Sequence, residues 1–205
     1  MTRAGLPFLI VWLFAFPCAH ALDPPLPTPH PKPADIESAY MSLPLDWIHP
    51  SPGADVSDAD RRSWIDRVDR RNGYLKFSGK ATQVWEGYGE CAWFKRVDAT
   101  PLVAVSLLTC GPACEQSLRF VTFESGVWKD VTATVFTPLP DERIRQLYAG
   151  RNGPAEFAQD PPVVYQLPRF GTGIELRVQE QIVGKSIVLG VLRLKDGRFT
   201  FDPDR

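Results

Sequence analysis

From Tyr74 onward the chain is written in short apolar runs separated by turn residues, the texture of β-strands rather than long helices. The runs fall at residues 74–77, 83–86, 90–97, 102–109, 118–124, 127–134, 163–167, 174–182, 187–194 and 198–201. The most regular sets Ile174, Leu176, Val178 and Ile182 against Glu175, Arg177, Gln179 and Gln181, which predicts a strand with one buried and one wet face. The run from Leu102 is apolar at both parities, as a central strand covered on both faces would be. Asp196-Gly197 is a strong two-residue hairpin signal, and Ser125-Gly126 is a weaker one.

Helical signals appear in three places. Residues 35–43 predict a short helix stopped by Pro44. Ser57 reads as an N-cap with Asp60 three positions on. Trp64, Ile65 and Val68 then lie at helical spacing among Arg61, Arg62, Asp66, Arg67 and Arg70, so an amphipathic helix running to Asn72-Gly73 is expected. A third helix should start at Pro140, with Asp141 and Glu142 at its positive end and Ile144, Leu147 and Tyr148 on one face. The segments 123–128 and 194–199 share one pattern: an apolar residue, two turn-entry residues, glycine, any residue, an aromatic. The expected fold is mainly β, of the α+β kind. Two antiparallel meanders, joined by the helix near Arg143, pack as a sandwich or open barrel with two or three peripheral helices.

The start of the chain has a different character. Residues 1–21 read as a secretory signal peptide: Arg3 is the positive n-region, residues 6–16 are the apolar run, and Ala19-His20-Ala21 is a small-x-small cleavage site. The apolar run is too short to span a bilayer. Acylation of Cys18 is the alternative, but Pro17 and Ala15 stand where a lipoprotein leader carries a small and an aliphatic residue. Residues 22–33 hold six prolines in twelve positions and read as a disordered spacer. One globular domain, 34–205, follows.

Charge narrows the partners. The whole chain has a formal net charge of −1, and loss of Arg3 with the leader makes it −2. Neither nucleic acid nor an anionic membrane surface is expected as partner, and no later stretch suits membrane insertion. The mature chain keeps Cys91, Cys110 and Cys114, which suits one disulfide and one lone thiol in an oxidising compartment.

Candidate chemistry is sparse. In Cys110-Gly-Pro-Ala-Cys114 a structural cross-link within a hairpin loop is the favoured reading, for the motif has three residues between its cysteines and is followed by a β-type sequence. The alternatives are a thiol–disulfide oxidoreductase and a pairing of Cys91 with one of the two. A four-residue loop at 98–101 would set Cys91 opposite Leu108 and diagonal to Cys110, a spacing wide for a disulfide. His49, with Asp46 three residues earlier, lies in a proline-flanked loop, and no Gly-x-Ser-x-Gly elbow accompanies it. Asp55, Asp58 and Asp60 lack the glycine and distal glutamate of a calcium loop and read as acids complementing a helix dipole. The stretch 85–90 offers Trp85 and Tyr88 as candidate binding aromatics. No catalytic residue, metal ligand set or cofactor is identified.

Together, residues 72–77 (Asn-Gly-Tyr-Leu-Lys-Phe), 110–114 (Cys-Gly-Pro-Ala-Cys) and 126–132 (Gly-Val-Trp-Lys-Asp-Val-Thr) resemble small exported bacterial proteins of unknown function. The resemblance implies an extracytoplasmic, mostly β domain and carries no activity with it. The functional expectation is a periplasmic, non-enzymatic domain that binds a protein or an envelope polymer, as an inhibitor, immunity or accessory factor would. An oxidoreductase using Cys110 and Cys114, or a hydrolase with dispersed acids, is the rival.

Overall fold

A computed structural model describes residues 31–49, 55–80, 86–96, 100–110, 114–152, 163–179 and 186–204. The leader, most of the proline-rich spacer and Trp85 lie outside these residues. Two antiparallel sheets dominate the fold. Sheet A is a six-stranded meander in sequence order: β1 (Ile65–Asp69), β2 (Tyr74–Lys80), β3 (Glu86–Lys95), β4 (Pro101–Cys110), β5 (Cys114–Glu124) and β6 (Val127–Asp130). Sheet B is a four-stranded meander of β7 (Val163–Gln166), β8 (Gly173–Gln179), β9 (Ser186–Lys195) and β10 (Arg198–Asp202). Helices α1 (Ile36–Ser42) and α2 (Asp58–Ser63) precede sheet A, and α3 (Thr132–Val135) and α4 (Asp141–Asn152) join the sheets. The described residues thus hold four α-helices where two or three were expected. No helix among them is long and apolar enough to cross a membrane.

Pleat alternation sorts the core into layers. On β4, Val103, Val105 and Leu107 face α1 and the 3-10 turn Leu45–Trp47, while Leu102 and Ala104 face sheet B. The expected doubly covered strand is therefore β4. Sheet B has one apolar face, and it serves two partners. Ile174, Leu192 and Phe199 pack on sheet A, and Leu176, Val178 and Leu189 are covered by Ile144 and Tyr148 of α4. Its other face carries Glu175, Arg177 and Arg193, as the alternation around Ile174 predicts.

Polar ties join the layers at the end of β7. Ser106 Oγ donates to the Tyr165 carbonyl at 2.7 Å, and Glu90 Oε2 accepts from the Leu167 amide at 2.7 Å. Glu90 Oε1 also accepts from the Tyr74 hydroxyl at 2.7 Å. Both ties grip main-chain atoms at the end of β7.

Three expectations need correction. The helix predicted from Ser57 to Gly73 stops at Ser63, and β1 follows. Ile65 pairs with Phe77 and Val68 with Leu75, with a register shift between Ile65 and Arg67. That irregularity lets two apolar residues three apart share one face of a strand, so a bulge imitates helical spacing. Asn72-Gly73 is then the β1–β2 turn, with Gly73 at φ 62°. Second, the run 127–134 is a strand only to Asp130, after which Asp130 Oδ1 accepts from the Thr132 amide and α3 begins. Third, Lys95 pairs with Pro101, so the β3–β4 connection is 96–100 rather than 98–101. Cys91 faces Val105, well removed from Cys110, which faces Glu86.

Both hairpin signals hold. Ser125 and Gly126 have φ 52° and 83°, Asp196 and Gly197 have φ 51° and 79°, the pattern of a two-residue turn with both centres left-handed. Their shared sequence pattern reflects this common geometry, in which Phe123 pairs with Trp128 and Leu194 with Phe199.

Candidate functional site

A concavity lies on the wet face of sheet B, under the turn between β7 and β8. It measures about 480 Å³, a size that suits a small ligand or a few residues of a partner. Leu167 and Val191, 3 % exposed each, form an apolar floor, and Arg169, Arg177 and Arg193 stand around it. At Gly173 a Cβ would lie 2.5 Å from Val191 Cγ1, so only glycine leaves that part of the floor clear.

Each arginine is held by a carboxylate. Arg177 closes on Glu175 through Nε at 2.9 Å and Nη2 at 2.5 Å, a two-point pair within the groove. Arg169 Nε donates to Asp69 Oδ2 at 2.9 Å, tying the groove loop to the end of β1. Arg193 Nε donates to Asp202 Oδ2 at 3.0 Å on β10. Hydrogen bonds from the Asn72 side chain and from Arg169 hold the Asp69 carboxyl below its ordinary range. Arg193, followed by the Asp204 amide, does the same for Asp202. Beside the groove, the Arg169 guanidinium sits 4.9 Å from the centre of the Phe170 ring, and Phe170 is 69 % exposed.

The loop that shapes this groove is anchored from sheet A. Glu90 holds the Leu167 amide, and Asp69 holds Arg169, so both ends of the Leu167–Arg169 segment are tied to strands of the other sheet. What the arrangement offers chemically is recognition: guanidinium groups, an exposed aromatic ring and an apolar floor.

The residues singled out from the sequence lie elsewhere. Cys110 and Cys114 are disulfide-bonded and face one another as the first pair of the β4–β5 hairpin. The chain after Cys114 runs on as strand β5, so the helix N-terminus that activates a redox thiol does not follow this motif. Cys91 is buried and unbonded to sulfur, and burial pushes its thiol well up. Tyr88 stands on β3, 43 % exposed, in a row with Ser78 and Leu108, and it takes no part in the groove. Trp85 lies outside the described residues. Asp46 is exposed, whereas the His49 ring is buried and stacked on Trp64 at 5.0 Å. Asp60 and Ser57 bond reciprocally at the start of α2, Oγ to Oδ2 at 2.6 Å and amide to Oγ at 3.2 Å. Among the described residues, no group of three or more His, Cys, Asp or Glu side chains is placed to hold a metal.

No family model matches the chain, and no match was found among curated proteins or solved structures.

Arg169, Phe170 and Arg193 were not singled out in the sequence. A signal existed in part: Glu175 and Arg177 fall on the wet parity of β8, and the segment 168–173 is a glycine-rich turn with an aromatic at its tip. Arg193 joins them only through the β8–β9 register, which places it opposite Gly173.

Proposed function

We propose that this chain is exported to the periplasm, matured near Ala21, and acts there as a non-enzymatic binding domain for a protein or an envelope polymer. The leader-like residues 1–21 and the proline-rich stretch behind them support export and a tethered domain. The observation that carries the binding role is the groove beside the β7–β8 turn. Arginine and aromatic side chains dominate the energetics of recognition surfaces, and here they surround a preformed apolar floor. Carboxylates outside the lining hold Arg169 and Arg193 in place, which lowers the ordering cost of binding.

A photo-crosslinking residue placed at Thr172, in cells that export the chain, tests the proposal. Discrete adducts are expected at Thr172 and not at Asp46, an exposed residue of the 3-10 turn on the far side of sheet A. Identical patterns from both positions would overturn the groove as binding surface. Fractionation of the same cells tests export, for a chain that remains in the cytoplasm with its leader attached contradicts it.

A further inference from the structure

We infer that the groove takes a short acidic peptide segment, with its carboxylates on Arg169 and Arg193 and an apolar side chain beside Phe170. The inference rests on the reading of this groove as the binding surface and names its ligand class.

The argument begins with how the three arginines differ. Arg177 uses two nitrogens on Glu175, and its Nη1 lies 3.4 Å from Ser186 Oγ, so its charge is answered within the wall. Arg169 and Arg193 each make one side-chain hydrogen bond among the described residues, through Nε. The terminal nitrogens of both keep their N–H groups, a fork that matches a carboxylate in geometry and charge. Both side chains are accessible, at 41 % and 54 % exposure. The carboxylates of Asp69 and Asp202 fix where these forks stand without filling the groove, since neither aspartate lines it.

Space is kept for the ligand. Arg193 Nη1 lies 3.9 Å from the position a Cβ on Gly173 would occupy, so the absence of a side chain there leaves the floor beside the guanidinium uncovered. Gly171, at φ 82°, has open space where its Cβ would be. The groove is therefore bounded by backbone and charge more than by bulk.

The size of the groove, about 480 Å³, selects a short ligand. The chain has a formal net charge of −1, so no general attraction for anions adds to that of the groove. Phe170 and the floor of Leu167 and Val191 favour a segment that also carries an apolar side chain. A peptide with glutamates on both sides of a leucine or phenylalanine has that composition.

Fluorescence anisotropy of a fluorescein-labelled Gly-Glu-Leu-Glu-Phe-Glu-Gly peptide, added to the chain as cells export it, reads the interaction directly. Binding is expected to weaken at least about tenfold in the R169A/R193A double variant and to fall as salt rises. Both arginines are partly exposed, and circular dichroism of the variant verifies its fold. The same peptide with Gln in place of Glu should not bind. Equal binding of the Gln peptide, indifference to the double substitution, or a preference for an oligouronate or inorganic phosphate would each overturn the acidic-peptide inference. Adducts at Thr172 that survive R169A/R193A would overturn it while leaving the groove standing as binding surface. Loss of both peptide binding and Thr172 adducts would overturn the two readings together.

Discussion

Arg61 is 8 % exposed, in a part of the molecule where no carboxylate meets it through a hydrogen bond among the described residues. Its Nη2 donates to the Tyr40 carbonyl in the last turn of α1, and its guanidinium lies 5.0 Å from the centre of the Tyr40 ring. The Tyr40 hydroxyl returns a bond to the Arg61 carbonyl at 3.3 Å, so the two residues clamp α1 to α2. A cation at the end of a helix meets the negative pole of its dipole, which offsets part of the cost of burial. Gly89 shows a different kind of dependence. A Cβ there would lie 2.0 Å from the Phe77 ring, because that ring crosses β3 directly above the glycine. Gly89→Ala is expected to cost about 1–3 kcal/mol through overpacking, measured as a lower urea midpoint with unchanged denaturant slope. Burial also governs the phenols. Desolvation pushes Tyr40 and Tyr74 up, and pushes Tyr165 up to about 12 from an ordinary 10.0. A native pKa above the unfolded one means that the folded state holds its proton more tightly. These tyrosines contribute stability fully below pH 10, and the contribution is lost as pH rises through their native values. Tyrosinate absorbance should therefore lag behind that of free tyrosine above pH 10 and appear together with unfolding.

At the scale of elements, the Cys110–Cys114 bond closes a hairpin whose strands are paired over eight further register positions. So short a loop leaves little entropy to remove, and the C110S/C114S double variant should lose about 2 kcal/mol while keeping its circular dichroism. Full loss of the fold would contradict a merely local clip. The Glu90 carboxylate does more than its length suggests, because it serves a tyrosine on its own sheet and a backbone amide on the other. Glu90→Gln keeps one acceptor oxygen and turns an amide NH2, itself a donor, toward the second donor, which costs about 1–3 kcal/mol. Hydrogen exchange at the Leu167 amide should accelerate more than exchange at Val103. Strand parity and turn chemistry were legible in the sequence because both are local: the doubly apolar run at Leu102, the alternation at Ile174 and the Asp196-Gly197 turn all hold. β1 was not, because a bulge places Ile65 and Val68 on one side at a spacing that helices also use. The groove was not legible either. Arg169 and Arg193 are 24 positions apart in the chain and meet one surface only through the β8–β9 register and the tie to Asp69.

For the whole molecule, the layers are unequal. Sheet A is covered on both faces at β4, whereas sheet B lends its single apolar face partly to sheet A and partly to α4 and leaves the other to solvent. Acid should reach the outer ties first. Asp35, Asp69, Asp130 and Asp202 all have native carboxyl pKa values held below 3.8, so their contribution is fully present above that pH. It fades as pH falls through the depressed native values. Thermal midpoints should stay level down to about pH 4 and decline below it, and Asp69→Asn should flatten part of that decline. The grip of one sheet on the other has a further consequence. Ser106 and Glu90 hold the carbonyl of residue 165 and the amide of residue 167, atoms that every non-proline amino acid supplies. The turn that follows, from Pro168 to Thr172, is thereby mounted on a generic backbone bracket. A library of foreign sequences grafted between those positions would inherit the same fixed mount, which makes this corner of the protein a natural place to install new binding specificities.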